Sequence, residues 1–167
     1  EDAFGLLPLF ALNEDGYKKI IQLSSKSFLN ENELLDPHVN LDELLKETEG
    51  VAILSGTVFG FFGNLFEKGK FEEINDLYIK LKSKFKNRFY LEIQRHDDLN
   101  EVAFEKFNLI KSKELEIPII ATNEVFYLDK EMHEAHDALI CIGNKTYVNE
   151  KNRLRFTDQH YLKTNSE

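Results

Sequence analysis

Three short apolar runs set the limits on what this chain can fold into. Val51-Ala52-Ile53-Leu54, Phe89-Tyr90-Leu91-Glu92-Ile93 and Ile119-Ile120-Ala121-Thr122 are rich in β-branched and aromatic residues and read as buried strands. After each comes a stretch whose apolar residues recur at helical spacing. Strand followed by helix, repeated in this way, is the pattern of a parallel sheet with right-handed crossovers. The fold class is therefore α/β. Three short strands cannot close a barrel and are few for this many helices, so further strands are expected on the N-terminal side.

The helices have their own signals. Asn13 or Asp15 can cap a first helix carrying Tyr17, Ile20, Ile21 and Phe28. Pro37 interrupts the chain, Asn40 caps a short helix with Leu41, Leu44 and Leu45, and Gly50 ends it. Phe59 to Gly69 reads as a loop or short helix. The clearest helix follows, with Phe71, Ile74, Leu77, Tyr78, Leu81 and Phe85 on one stripe and Asn87 at its end. Asn100 caps a helix to about Glu114 that turns Val102, Phe107 and Ile110 inward. Asp129 starts a last helix to about Ile142.

Charge and cysteine content exclude several functions. The net charge of −9 repels phosphate on average, so this segment does not grip DNA by itself. The basic run Lys80, Lys82, Lys84, Lys86 and Arg88 reads as a solvated helix end. No apolar run approaches the length of a membrane span. The single cysteine, Cys141, forms no disulfide within the chain, suits the cytosol, and reads as a small buried apolar residue. There is no initiating Met, and Phe4 to Ala11 is an apolar stretch like the interior of a domain, so an excised piece of a longer protein is expected.

Several stretches together resemble one family. Leu9-Phe10-Ala11-Leu12-Asn13-Glu14-Asp15-Gly16-Tyr17, Leu54-Ser55-Gly56, Phe89 through Arg95, and Ala121-Thr122-Asn123-Glu124-Val125 occur in its order. His133-Glu134-Ala135-His136-Asp137-Ala138-Leu139 and Gln159-His160-Tyr161-Leu162-Lys163-Thr164 complete the set. The chain resembles the PHP (polymerase and histidinol phosphatase) domain of bacterial DNA polymerase III alpha subunits over nearly its whole length. That resemblance implies part of a distorted (β/α)7 barrel, with residues 1–167 as its central and C-terminal portion. The N-terminal strands and the polymerase palm would lie outside the chain.

The resemblance also says where metal ligands would sit. A ligand His of the family falls on Leu6, a ligand Cys on Thr57, and an Asp-x-His pair on Glu124 and Phe126. Glu124 and Phe126 are two apart at a strand end, so they share a face. Leu and Phe offer no lone pair, and a Thr hydroxyl substitutes poorly for thiolate. A degenerate pocket is expected, with no metal, no cofactor and no catalytic residue in this segment. His133 and His136 are three apart rather than the four of a zinc-protease helix, and are read as hydrogen-bonded helix-face residues. Arg95 reads either as a contact to an anion or partner, pairing with Asp97 or Glu124, or as a structural ion pair inside the barrel. His38 and His96 lie in polar loops with no assigned role.

The function implied is that of a scaffold in a DNA-directed DNA polymerase. It would brace the polymerase core and dock the proofreading exonuclease subunit within the holoenzyme. DNA and Mg²⁺ would be bound through other domains of the parent chain, a cytoplasmic nucleotidyltransferase. The alternative is a metal-dependent phosphoesterase or proofreading nuclease, and a third reading is an unrelated α/β interaction module.

Overall fold

A computed structural model describes residues 4–29 and 36–167. The three predicted strands form as β2 (Val51–Leu54), β3 (Phe89–Ile93) and β4 (Ile119–Ala121). β2 pairs with β3, and β3 with β4, both in parallel, with Ile53 opposite Phe89 and Leu91 opposite Ile119. A fourth strand, β1 (Leu9–Ala11), lies antiparallel on the outer side of β2, with Leu9 opposite Ile53. The sequence shows this stretch only as apolar, because it is three residues long, follows Pro8, and pairs with residues some forty positions away.

The helices are α1 (Glu14–Phe28), α2 (Leu41–Leu44), α3 (Phe61–Glu67), α4 (Phe71–Phe85), α5 (Glu101–Leu115) and α6 (His133–Asn144). Asn13 is the cap of α1, its Oδ1 accepting from the Gly16 amide at 2.9 Å. Gly16 is required there, since a Cβ would fall 1.8 Å from the Gly50 carbonyl oxygen. Gly50 itself has φ +74, the left-handed region that glycine adopts without strain. The short-helix reading of 59–69 is met by α3. α4 ends at Phe85, and the turn Lys86–Arg88 leads directly into β3.

α3 and α4 cover one face of the sheet. Ile53, Phe62, Leu65, Ile74, Tyr78 and Phe89 are fully buried between them. The ring of Tyr78 meets Phe62 at 4.6 Å and Phe89 at 5.6 Å, both edge to face. Its hydroxyl, deep in this core, donates to Asn108 Oδ1 of α5 at 2.9 Å. α5 departs from the sequence reading. Its inner stripe is Glu101, Phe104 and Asn108, whereas Val102 and Ile110 are exposed and Phe107 is half-buried. The buried polar groups took the inner face because each has a partner there, which an apolar pattern cannot reveal.

On the opposite face of the sheet Ala52, Leu54 and Glu92 are buried at the strands. Leu6 and Phe10 are exposed beside it, and α1 also exposes Tyr17, Ile21 and Phe28, three of its four expected inward positions. These side chains give the segment exposed apolar surface, and among the described residues β1 and β4 are the edge strands of the sheet. The isolated chain is therefore expected to self-associate, with a weight-average mass in sedimentation equilibrium that rises with concentration. A single monomeric species across the range would contradict this. Within the core, Tyr78→Phe leaves the Asn108 oxygen without its donor and is expected to cost about 1–3 kcal/mol in urea unfolding. A loss within about 0.5 kcal/mol, as for a surface substitution, would show that the bond is not needed.

Candidate functional site

Because β2, β3 and β4 run in parallel, their C-terminal ends lie side by side, and the segments that leave them surround a cleft of about 780 Å³. Leu6, Thr57, Glu124 and Phe126 all line it, so the four positions singled out from the sequence converge in space. Glu92 of β3, and Gln94 and Thr122 just past the ends of β3 and β4, supply polar groups, and Thr122 Oγ1 donates to Glu92 Oε1. The other Glu92 oxygen, Oε2, is buried and has no hydrogen-bond partner among the described residues.

Aromatic stacking fills one side of this cleft. The ring of Phe126 lies between His136, at 5.2 Å and 11°, and His160, at 4.8 Å and 21°. His160 in turn stacks on His96 at 4.1 Å and 5°. Four near-parallel rings thus run His136, Phe126, His160, His96. His133 sits beside the row, bonded through Nε2 to the Phe156 carbonyl at 3.0 Å.

His96 is the main site residue that sequence reasoning passed over. It is not in an open polar loop but is 1 % exposed. Its backbone amide donates to Glu101 Oε2 at 2.8 Å, and its Nε2 lies 2.9 Å from Asn123 Oδ1. The Asn123 amide donates to the Tyr161 carbonyl, which turns its Oδ1 toward His96, and the Glu124 backbone amide reaches the same Nε2 at 3.3 Å. The readable signal was the spacing His96-x-Asp98 directly after a strand. His160, also 1 % exposed, had no such signal, because it reaches the site from 64 residues away.

His96, Asp98 and His160 each bring a potential ligand atom within 4.8 Å of the others. Ring geometry decides what this group can do. An ion bound to imidazole lies in the ring plane, and two rings stacked at 4.1 Å and 5° have no shared point in their planes. One ion cannot take lone pairs from both unless a ring turns out of the stack. Thr57 Oγ1 is engaged with the Phe59 amide at 3.2 Å, and Phe126 offers no donor atom. The arrangement suits a hydrogen-bonded ring stack better than a preformed metal centre.

The C-terminal segment is bound across the strand ends. The Phe126 amide donates to the His160 carbonyl at 2.9 Å, and Tyr127 bridges Tyr161 in parallel. Arg153 forms a two-pronged pair with Asp137 of α6, 2.6 Å on each side and almost wholly buried. Its guanidinium holds the Asp137 carboxyl below the usual carboxylate range. Arg95 pairs with neither Asp97 nor Glu124. It grips Glu105 of α5 at 2.8 and 3.0 Å on the outer surface, far from the inside of any barrel, because α5 brings an acid one helical turn from where the loop emerges.

Burial, then the neighbouring His96, pushes His160 down to about 4. A histidine whose folded pKa lies below its unfolded value of about 6.5 contributes stability that is complete above that value. That contribution is lost as pH falls from about 6.5 through about 4. Burial instead raises Asp98 and Glu101, which acts in the opposite direction, so the comparison with a variant matters. Thermal midpoints of the wild type should fall more steeply across this window than those of His160→Gln. Parallel curves would remove His160 from the acid response.

The matches to known proteins agree with this geometry. The PHP domain model matches residues 2–96. The DNA polymerase III subunit alpha of Caulobacter vibrioides is 34 % identical over 157 residues, 94 % of this chain and 14 % of that protein. Proteins of the same name from Rickettsia prowazekii and Borreliella burgdorferi are 34 % and 33 % identical over 99 % and 96 % of this chain, again at 14 % of their own length. This chain thus spans about one seventh of the curated relatives it matches. With the family model covering more than half of its residues, the chain belongs to the PHP domain family.

Proposed function

We propose that this chain is the central and C-terminal part of a PHP domain in the alpha subunit of a bacterial replicative DNA polymerase III, and that it acts there as a non-catalytic scaffold. Strands contributed from outside the segment would complete a distorted (β/α)7 barrel, and the polymerase palm with its Mg²⁺ would lie elsewhere in the subunit. The domain would support the polymerase core and dock the proofreading exonuclease subunit of the holoenzyme, in the cytoplasm. DNA would be held by other domains, consistent with a net charge of −9 here. Among the described residues no helix is long and apolar enough to cross a membrane.

The observation that carries this reading is Phe126. Where a family metal site would need an imidazole, an apolar ring lies stacked between His136 and His160. With Leu6 and Thr57 on the same cleft, only Glu124 of the four positions keeps a ligand-type side chain. The second reading, a metal-dependent phosphoesterase or proofreading nuclease, draws on the proximity of His96, Asp98 and His160. It would require the His96–His160 stack to open, so that a metal-bound hydroxide could be generated.

Elemental mass spectrometry of the full-length subunit, purified without chelators, separates the two. The scaffold reading expects substoichiometric transition metal, and deletion of the domain should abolish capture of the exonuclease subunit. Two or three tightly held ions per chain would favour the phosphoesterase. Unchanged exonuclease capture and polymerase stability after deletion would end the scaffold reading.

A further inference from the structure

The outward face of α5 takes no part in the core or the cleft. Glu101, Phe104 and Asn108 turn inward, which leaves Leu99, Val102, Lys106, Leu109, Ile110 and Lys113 exposed on the other side. Val102, Lys106, Leu109 and Lys113 recur at intervals of four, three and four, the spacing of a seam along which one helix packs on another. With α3, α4 and α6 in place, Val102 is still 65 % and Ile110 55 % exposed. This face looks away from the sheet, so additional strands would not cover it.

Its charge is a second observation. The chain carries 30 acids against 21 bases, so carboxylates outnumber the cations that could meet them. Every acid on or just past α5 is nonetheless engaged elsewhere. Glu101 accepts from the His96 amide, Glu105 pairs with Arg95, Glu114 with Lys111 and Glu116 with Lys82. Lys106 and Lys113 are left over, exposed, and among the described residues neither forms an ion pair. A lysine on a packing seam costs stability unless the facing helix answers it, and it thereby fixes the register of the pair.

We propose that an acidic amphipathic helix of the same subunit, from outside residues 1–167, packs along this seam. It sets two Asp or Glu side chains, seven residues apart as Lys106 and Lys113 are, against those lysines. The small size of the face favours a segment of the same chain over a separate protein. A single seam on a 15-residue helix does not reach the roughly 1,000 Å² that separate partners bury in a stable pair. A tethered segment needs less, because its effective concentration is on the order of millimolar before any contact forms. Relatives have the polypeptide to supply it, since this chain matches 14 % of the length of the Caulobacter vibrioides protein. The inference rests on the reading that the chain is part of a longer alpha subunit whose core it supports.

The test uses the full-length subunit, alone and with the exonuclease subunit bound, carrying a photo-crosslinking p-benzoylphenylalanine in place of Val102. Mixing isotopically heavy and light subunits tells contacts within a chain from those between copies. The expected product joins this position to a peptide of the same chain, outside residues 1–167, that bears acids seven apart. A product within the segment, between copies or with the exonuclease subunit overturns the proposal, as does no product. Lys106→Glu, Lys113→Glu should then lower the yield by at least about tenfold. Reversing the two partner acids to Lys in the same chain should restore it; an unchanged yield or no recovery overturns the proposal. Should the reversed variant not fold, Lys106→Gln, Lys113→Gln is compared with the wild type as salt is raised. The wild-type yield should fall while that of the neutral variant stays flat, and equal slopes overturn the charge match and the proposal with it. The underlying reading is judged separately, by deleting the whole domain. A silent crosslinker together with exonuclease capture lost on deletion removes this surface and leaves the scaffold reading standing.

Discussion

Parallel pairing of β2, β3 and β4 is the constraint on which the rest of this structure depends. Strands that run the same way deliver all their following loops to one end of the sheet. That is why Thr57, His96 and Glu124, far apart in sequence, meet at one cleft. The pairing itself is extended by a side chain. Past the end of β2, the buried Ser55 amide donates to the Tyr90 carbonyl at 2.9 Å, and its hydroxyl accepts from the Glu92 amide at 2.9 Å. The hydroxyl thus does the work of a backbone carbonyl for one more rung, holding β3 straight up to Glu92. Without it, a buried amide would be left unpaired at the rim of the site.

How legible this was in the sequence depends on whether a feature is local. β2, β3 and β4 were legible because each is a compact apolar run, and α4 because its six apolar residues keep strict helical spacing. β1 was hidden because its identity as a strand comes only from its partner β2. α5 was misread on its inner face because Asn108 is buried by its bond to Tyr78, a tertiary fact. The site shows the same division. Glu124 and Phe126 share a face by strand geometry alone, whereas the Asp137–Arg153 pair and the His96–His160 stack join residues 16 and 64 positions apart.

The ring stack fixes the side chains around the cleft to one another by contacts unlike those of a coordination shell. Coordination fixes side chains by strong, directional bonds to one central ion. The stack fixes them by dispersion and ring electrostatics spread over three contacts, each worth about 0.5–1.5 kcal/mol beyond burial. Such a row is weaker per contact but needs no ion and no particular protonation beyond neutral rings. Its requirement is that nothing in the row be charged, since a protonated imidazole loses solvation on burial. The lowered pKa of His160 keeps that member of the row uncharged at neutral pH.

Holding the row also requires that its outer members not slide, and the C-terminal segment provides this. Phe156 presses on Phe126 at 4.7 Å, and its carbonyl is fixed by His133. The Thr157 hydroxyl donates to the His96 carbonyl, tying this segment to the loop after β3. Arg153 anchors the whole strap to α6 through Asp137, with further bonds to the carbonyls of Val148 and Leu154. A buried two-pronged ion pair contributes little net stability over an apolar contact, because desolvation offsets most of its attraction. What it does contribute is direction, since the planar guanidinium accepts only one orientation of the carboxylate. In this chain that direction places Phe156 and His160 over the strand ends. The shape of the cleft is therefore set as much by a clamp on its rim as by the residues that line it.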